Sequence, residues 1–381
     1  THTCTHAHTY AHTLNSDLNF RGGLRFGKLL EDIDAFAGNI AFMHCNDGDP
    51  KTIVPVLVTA CLDRLDIKYP VTLNLGTDLE LQGQVSWTSN SSVQININLC
   101  QKDDNSPNTE TKLSASMVFV HVQNGRAAPV NKIKPVTPSD VALFAAGEKA
   151  NAERKMNRKT SLKSAPPTPE ESQLLHTAML SGFGNEAVGL LSTKMEAVQL
   201  MQPQERNRAG KIFGGFLMHE AYELAYTTSA AYAASLGATG QIIGAPTVIA
   251  VDDISFSKPV SIGDVVIFTS KVVYTGSNEL LVQQSNKYPN AISCVFQVRV
   301  LTKILDLKTG QKHISNEFHF TFLSRDPDAM PRFPVVPCRV APIAPKSYTE
   351  GMLWIDGRRR MLEALEIAKS TEGFANEALF K

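Results

Sequence analysis

Apolar residues in RFGKLLEDIDAFAGNIAFMH (residues 25–44) recur at intervals of three and four: Leu29, Leu30, Ile33, Phe36, Ala37 and Ile40. That period predicts a long, largely buried helix. The pattern then shortens to that of strands in IVPVLVTACLDRLDI, DLELQGQVSWT, VQININLC and SASMVFVHVQ, which are separated by polar turns. After residue 195 the same order restarts. GGFLMHEAYELAYTTSAAYAAS (214–235) reads as a second helix, and TVIAVDDISFS, DVVIFTSKVVYT, ELLVQQS, ISCVFQVRVLTKI and SNEFHFTFL read as strands. One helix followed by several antiparallel strands is an α+β layout, with a curled sheet wrapped around each long helix.

The two halves can be laid over each other. LDRLDIKYPV (62–71) matches VDDISFSKPV (251–260) without a gap, pairing Asp63 with Asp252, Leu65 with Ile254 and Pro70 with Pro259. After a two-residue difference Gly76 pairs with Gly263 and Trp87 with Tyr274, and upstream Phe26-Gly27 matches Phe213-Gly214. A repeat this regular points to duplication. Two copies of one unit are expected to pair as a pseudo-twofold dimer, with their sheets joined edge to edge so that no edge strand is left open there.

Around these units the chain changes character. Residues 1–18 begin THTCTHAHTYAHT, a low-complexity stretch expected to be a disordered tail rather than a metal tract. The first unit is expected over 19–125 and a helical, Pro-rich linker over 126–195, where Pro129, Pro135 and Pro138 break the sheet pattern and SLKSAPPTPEES reads as exposed. The second unit covers 196–328, and 329–381 forms a C-terminal extension whose RRRMLEALEIAK run is helical and docks on the body or on another subunit. The basic run AERKMNRKTSLK is expected to be a solvated face.

Composition adds limits. The chain has 381 residues, enough for two cores, with 43% hydrophobic and 19% charged residues, as in a soluble globular protein. Lys plus Arg and Asp plus Glu both number 37, so no net field draws the molecule to nucleic acid or an anionic membrane. Any anionic ligand is therefore held by a local patch. Cys4, Cys45, Cys61, Cys100, Cys294 and Cys338 show no CxxC pair or metal-ligand spacing, which reads as reduced thiols. No apolar run approaches the ~20 residues of a membrane-spanning helix.

RFGKLLEDIDAFAG, NRAGKIFGGFLMHEAYELA and the PPTPEES linker, in that order, resemble the two-hotdog acyl-coenzyme A thioesterases of the mitochondrial type 9 group, from about residue 20 to residue 328. The resemblance implies tandem hotdog domains, hydrolysis of acyl-coenzyme A (CoA) thioesters, a mitochondrial location and further assembly, commonly as trimers of two-hotdog chains. It implies no cofactor and no metal. Acyl-CoA is the one partner it names.

The residues supply the chemistry such a reaction needs. Gly214 and Gly215 open the second helix, where unpaired amides and the helix dipole favour a developing negative charge; tight packing is the bland alternative. Asp34 lies on the first helix among apolar neighbours, an environment in which an acid needs a reason. The resemblance makes it the general base or nucleophile. Its rivals Asp32 and Glu31 fall about 200° and 300° away at ~100° per residue and are expected to be solvated. Asn207 matches the family's catalytic asparagine, orienting water or holding the carbonyl, against the alternative of capping a loop. Arg206, Arg208, Lys211 and Lys258 are candidate contacts for the CoA phosphates, against ordinary surface charge.

The second helix carries no aspartate at the matching place: Asp34 falls opposite Ala221 or Tyr222. The first half has no clear counterpart to NRAG, with only Asn19 near. One composite site, Asp34 with Asn207, accounts for this division and leaves the mirror-related site inactive. His219 and Glu223 lie near the seam without an assigned role, and the adjacent His44 and Cys45 are discounted as a thiol nucleophile. Phe36, Phe213, Met218 and Tyr222 are the side chains whose packing sets pocket depth. Two other readings are a silent acyl-CoA sensor, which has no need of a buried acid, and an enoyl-CoA hydratase, whose Asp and His motif neither half shows.

Overall fold

The computed structural model describes residues 2–3, 8–12, 19, 24–67, 78–102, 109–181, 187–208, 210–237, 245–276, 293–325 and 341–370. The expected strand ELLVQQS and the Gly76 position of the overlay lie outside these residues.

Helix α1 (Phe26–Cys45) buries Leu29, Leu30, Ile33, Asp34, Ala37, Ile40 and Ala41 along one stripe. Strands β2 (Val56–Ile67), β3 (Leu79–Thr88), β4 (Ser92–Lys102) and β5 (Thr109–Gln123) follow, and β1 (His8–His12) pairs with β3. The second half runs β6 (Met195–Leu200), α4 (Gly214–Gly237), β7 (Thr247–Phe256), β8 (Val265–Gly276), β9 (Ser293–Leu305) and β10 (Lys312–Arg325). Helices α1 and α4 and the expected strands among the described residues agree with the structure to within about five residues, whereas β1 and β6 answer to no expected strand. Close approach of helix to sheet needs a missing side chain at Gly83 in β3, whose Cβ would lie 2.5 Å from Ile40 Cδ1 on α1.

All these strands join in one 11-stranded sheet in the order β6-β8-β9-β10-β7-β2-β5-β4-β3-β1, with Arg126–Ala127 attached to β5. The halves meet where β7 pairs antiparallel with β2. The overlay maps this ladder on to itself: the pair Leu65–Val251 falls on Ile254–Leu62, and Asp66–Ala250 falls on Ser255–Cys61. Helices α1 and α4 pack against each other over the inner face. Helix α4 is apolar almost all round and buries its polar groups by back-bonding: Thr228 Oγ1 donates to Leu224 O (2.8 Å) and Ser229 Oγ to Tyr226 O (2.8 Å).

Outside the described elements of the overlay the repeat continues. Helix α2 (Pro138–Thr160) lies on the opposite face of the sheet from α1, with Gly147 against Trp87. Helix α5 (Tyr348–Ser370) lies on β8 and β9, with Gly357 against Tyr274, the overlay partner of Trp87. Both start on matching caps: Thr137 and Asp140 form a capping box, while Ser347 Oγ accepts the Glu350 N–H and Glu350 accepts the Lys346 N–H.

Four local readings need correction. Residues 8–12 form a strand on the edge of the sheet rather than belonging to a wholly disordered tail, because alternating Thr, Tyr and Ala suit a pleated edge despite their low complexity. Arg154, in the basic run, is not solvated: it bonds Asp63 on β2 and the Gln94 side chain, an ion pair that periodicity cannot foresee. The exposed PPTPEES segment already contains the start of α3 (Pro169–Ser181), with a Thr168–Glu171 capping box. Glu171 in turn holds Arg359 of α5 through two 2.6 Å bonds. The C-terminal helix begins at Tyr348, ten residues before the run that first showed helical spacing.

Candidate active site

Helix α4 begins at Gly214, just after the apolar Phe213, whose carbonyl accepts the Leu217 N–H (3.4 Å). The opening amides therefore need partners from elsewhere. One comes from the other half: Asp34 Oδ2 on α1 accepts the Gly215 N–H at 2.6 Å. Its second oxygen, Oδ1, accepts from Thr59 Oγ1 of β2 at 2.9 Å. Asp34 is 0% exposed. Burial pushes its carboxyl up to about 6, against the two hydrogen bonds, which favour the charged form. A carboxylate with that pKa is ionised at neutral pH and still basic enough to take a proton from water.

The two glycines are a steric requirement. A Cβ at Gly214 would sit 2.9 Å from Asp34 Oδ2 and 3.2 Å from Thr59 Oγ1. One at Gly215 would sit 2.8 Å from the Glu31 Cα and 2.7 Å from Phe213 Cε1. The helix start is flush with α1, and the site is assembled across the seam.

Asn207 lies in the loop before α4. Its Oδ1 accepts the Lys211 N–H (3.1 Å) and its own N–H donates to Lys211 O (2.7 Å), so the loop-capping role expected as the bland alternative is present. Phe213 N donates to Glu205 O (2.9 Å), closing the loop over the helix start, and Arg208 stacks on the Phe42 ring of α1 at 4.3 Å. The loop thus leans on the first half. Lys211 Nζ donates to Ser261 Oγ (2.9 Å). Arg206 is exposed, its backbone bridged to Ile212, and Lys258 is exposed beyond β7 with its carbonyl bonded by Ser315. The structure brings Asp34, Gly214 and Gly215 together, keeps Asn207, Arg206, Arg208 and Lys211 on the adjoining loop, and places Lys258 two residues before Val260, whose carbonyl accepts the Ile212 N–H of that loop.

Glu31 is not solvated as expected. At ~100° per residue a separation of 300° is about 60° short of a full circle, so Glu31 lies one turn back on nearly the face of Asp34. It meets His219 of α4 and Lys28 of α1. Asp32 is likewise half-buried. Cys45 is no nucleophile in waiting, because burial pushes its thiol up to about 11. At the start of α1, opposite the candidate site, Tyr222 packs against Phe26 with ring centroids 5.1 Å apart and against Phe320 and Phe322. Thr59 is the residue that sequence reasoning missed. A threonine in a strand is unremarked by period, but the overlay puts Val248 opposite it, a second asymmetry of the kind that marked Asp34.

Residues 209–285, from this loop through α4 and β8, match the family profile described as Thioesterase superfamily. The fold is that hotdog thioesterase fold, of the α+β class. Over 354 residues the chain is 30% identical to acyl-coenzyme A thioesterase 9, mitochondrial, of Homo sapiens, covering 90% of this chain and 72% of that protein. It is 32% identical over 315 residues to acyl-coenzyme A thioesterase 2, chloroplastic, of Humulus lupulus, covering 79% and 67%. The chain belongs to the acyl-coenzyme A thioesterase family. Among solved structures, it is similar to an acyl-CoA hydrolase from Staphylococcus aureus in complex with butyryl coenzyme A, coenzyme A and coenzyme A disulfide, at TM-score 0.37 and 20% identity over 50% of this chain and 99% of that one. A putative oleoyl thioesterase from Lactobacillus plantarum is similar over 84% and 96%, at TM-score 0.46 and 10% identity.

Proposed function

We propose that this chain hydrolyses acyl-CoA thioesters to a fatty acid and CoA at one composite site between two hotdog domains paired about a pseudo-twofold axis. The observation that carries the reading is the fully buried Asp34 carboxylate of the first half, bonded to the Gly215 N–H that opens the helix of the second. The self-mapping β2–β7 ladder supports the paired arrangement.

Asp34 takes a proton from water as the water oxygen bonds to the thioester carbonyl carbon. With the Gly215 N–H held by Asp34, the neighbouring opening amides of α4 and the helix dipole stabilise the negative charge that develops on the carbonyl oxygen. The C–S bond then breaks, CoA leaves as a thiolate, and the proton held by Asp34 returns to it. Asn207 has its Oδ1 committed to the Lys211 N–H, which directs its amide NH2 toward a donor role and suits the thioester carbonyl better than the base side of the water. Arg206, Arg208 and Lys211 on the same loop are the candidate contacts for CoA phosphates. Lys258, exposed just beyond β7, is a further one.

The mirror-related place at the start of α1 is inactive on this reading, since Tyr222 and its aromatic neighbours stand where the acid would be. Relatives from human, mouse and cattle are designated mitochondrial, and this chain is mitochondrial with them. Further assembly of two-hotdog chains, as trimers, is supported by exposed Val198 and Leu200 on the edge strand β6. Thiol release from short, medium and long acyl-CoA substrates, with wild type beside Asp34→Asn, tests the proposal. A loss of roughly a hundredfold or more in the variant is expected; equal rates would refute the site.

A further inference from the structure

We propose that His219 is a positioning residue, a clamp from α4 to α1 that keeps the Asp34 carboxylate on the Gly215 N–H; the proposal rests on the reading of Asp34 as the catalytic acid. His219 lies in the second turn of α4, and its Nδ1 is 2.7 Å from Glu31 Oε1 on α1. Its Nε2 is 3.5 Å from Glu223 Oε1, one turn on in α4. With both ring nitrogens facing carboxylates, the ring is satisfied only when both carry protons.

Glu31 is the point at which the clamp reaches the site. Its Cα lies where a Cβ on Gly215 would collide, and it precedes Asp34 by one helical turn. Holding Glu31 therefore fixes the spacing between the turn that carries the acid and the helix start that receives it. Lys28 bonds the other oxygen of Glu31 and leaves it pointing across the seam. Burial opposes ionisation of Glu31, and the bonds from His219 and Lys28 outweigh it, holding its carboxyl below the usual range.

The imidazole reaches Glu31 only because α1 has no side chain in its path. A Cβ on Gly27 would lie 2.4 Å from His219 Cδ2. The groups facing His219 are thus Glu31, Lys28 and the Gly27 backbone from α1, and Glu223 from α4. Glu223 and Glu31 together push the imidazole up to about 9, against the effect of burial. The clamp is charged across the neutral range and releases its proton on the alkaline side.

The test is the pH profile of kcat/KM, with uncatalysed thioester hydrolysis subtracted, for wild type, His219→Arg, His219→Gln and Gly27→Ala. Wild type is expected to lose activity near pH 9. His219→Arg, which keeps a cation, should stay active and lack that fall. His219→Gln and Gly27→Ala should lower kcat roughly tenfold or more while KM moves little, since misplacing a catalytic group by a fraction of an ångström acts on the chemical step. An NMR titration of the imidazole in wild type needs no variant, and an ordinary midpoint near 6.5 would overturn the proposal. So would unchanged kcat in His219→Gln. Asp34→Asn run alongside separates the two claims: full activity there removes the site reading, whereas its loss beside an unaffected His219→Gln removes only the clamp.

Discussion

The Asp34 carboxylate of α1 and the Gly215 N–H of α4 stand 2.6 Å apart although 181 residues separate them in sequence. An acid from one repeat thereby closes the helix start of the other. Because burial pushes this carboxyl up to about 6, kcat/KM is expected to rise through that pH and not through the ordinary aspartate range near 4. A rate profile from pH 4 to 8 on a saturating and a subsaturating substrate checks this. An acid limb centred near 4 would mean that a different carboxylate governs the rate.

Thr59 donates its hydroxyl to Asp34 and so favours the ionised form. Thr59→Val keeps the volume and removes the donor. The acid limb of the profile should then move upward, so that the deficit of the variant is small at pH 8 and grows as pH falls toward 6. A deficit that is the same at every pH would show that Thr59 acts on geometry or substrate binding and not on the charge of Asp34.

Gly214→Ala and Gly215→Ala place a methyl group against Asp34 Oδ2 and against the Glu31 Cα, respectively. The Glu31 contact is with backbone, so α1 and α4 must part to admit it. Overpacking of this kind costs typically about 1–3 kcal/mol, more than the roughly 1 kcal/mol that alanine returns in helix propensity. Both variants should lose activity, and Gly215→Ala should also melt at a lower temperature. Thiol release and calorimetry on the same preparations read both effects, and a fully active, equally stable Gly215→Ala would contradict the close packing of the seam.

The candidate site is legible chiefly through the family resemblance, which picks out Asp34 and Asn207. The asymmetry of the overlay, Asp34 against Ala221 or Tyr222 and NRAG against FRGGLRFG, fits a site divided between the halves. The overlay leads to two sheets joined edge to edge, but it does not tell that β2 and β7 are the strands that meet. What stayed hidden is what depends on distance rather than period. The contact of Arg154 with Asp63 spans 91 residues, and that of Arg359 with Glu171 spans 188. The repeat of α2 in α5 escaped for another reason: their shared features are a cap and one glycine, Gly147 and Gly357, set in otherwise unlike helices. Glu31 needs the angle taken both ways around the helix, because about 300° in one direction is about 60° in the other.

The buried acid should also cost the fold stability, and the sign can be worked out. Asp34 ionises near 3.8 in an unfolded chain and near 6 in the folded one. The folded state therefore binds the proton more tightly, and the stability gained from the protonated form is present below pH 3.8 and lost as pH rises through 6. At neutral pH the charged carboxylate is held in place at an expense of up to about 3 kcal/mol, taking about 1.4 kcal/mol per pKa unit. Asp34→Asn keeps the shape and an oxygen for the Gly215 N–H but carries no charge. It should be almost inactive and yet unfold at a higher temperature than wild type at pH 7.5, with the difference shrinking toward pH 4. Calorimetric melting of the two proteins at both pH values decides it. A variant that is less stable than wild type at pH 7.5 would mean that Thr59, Gly215 and the helix dipole more than offset the desolvation of the charge.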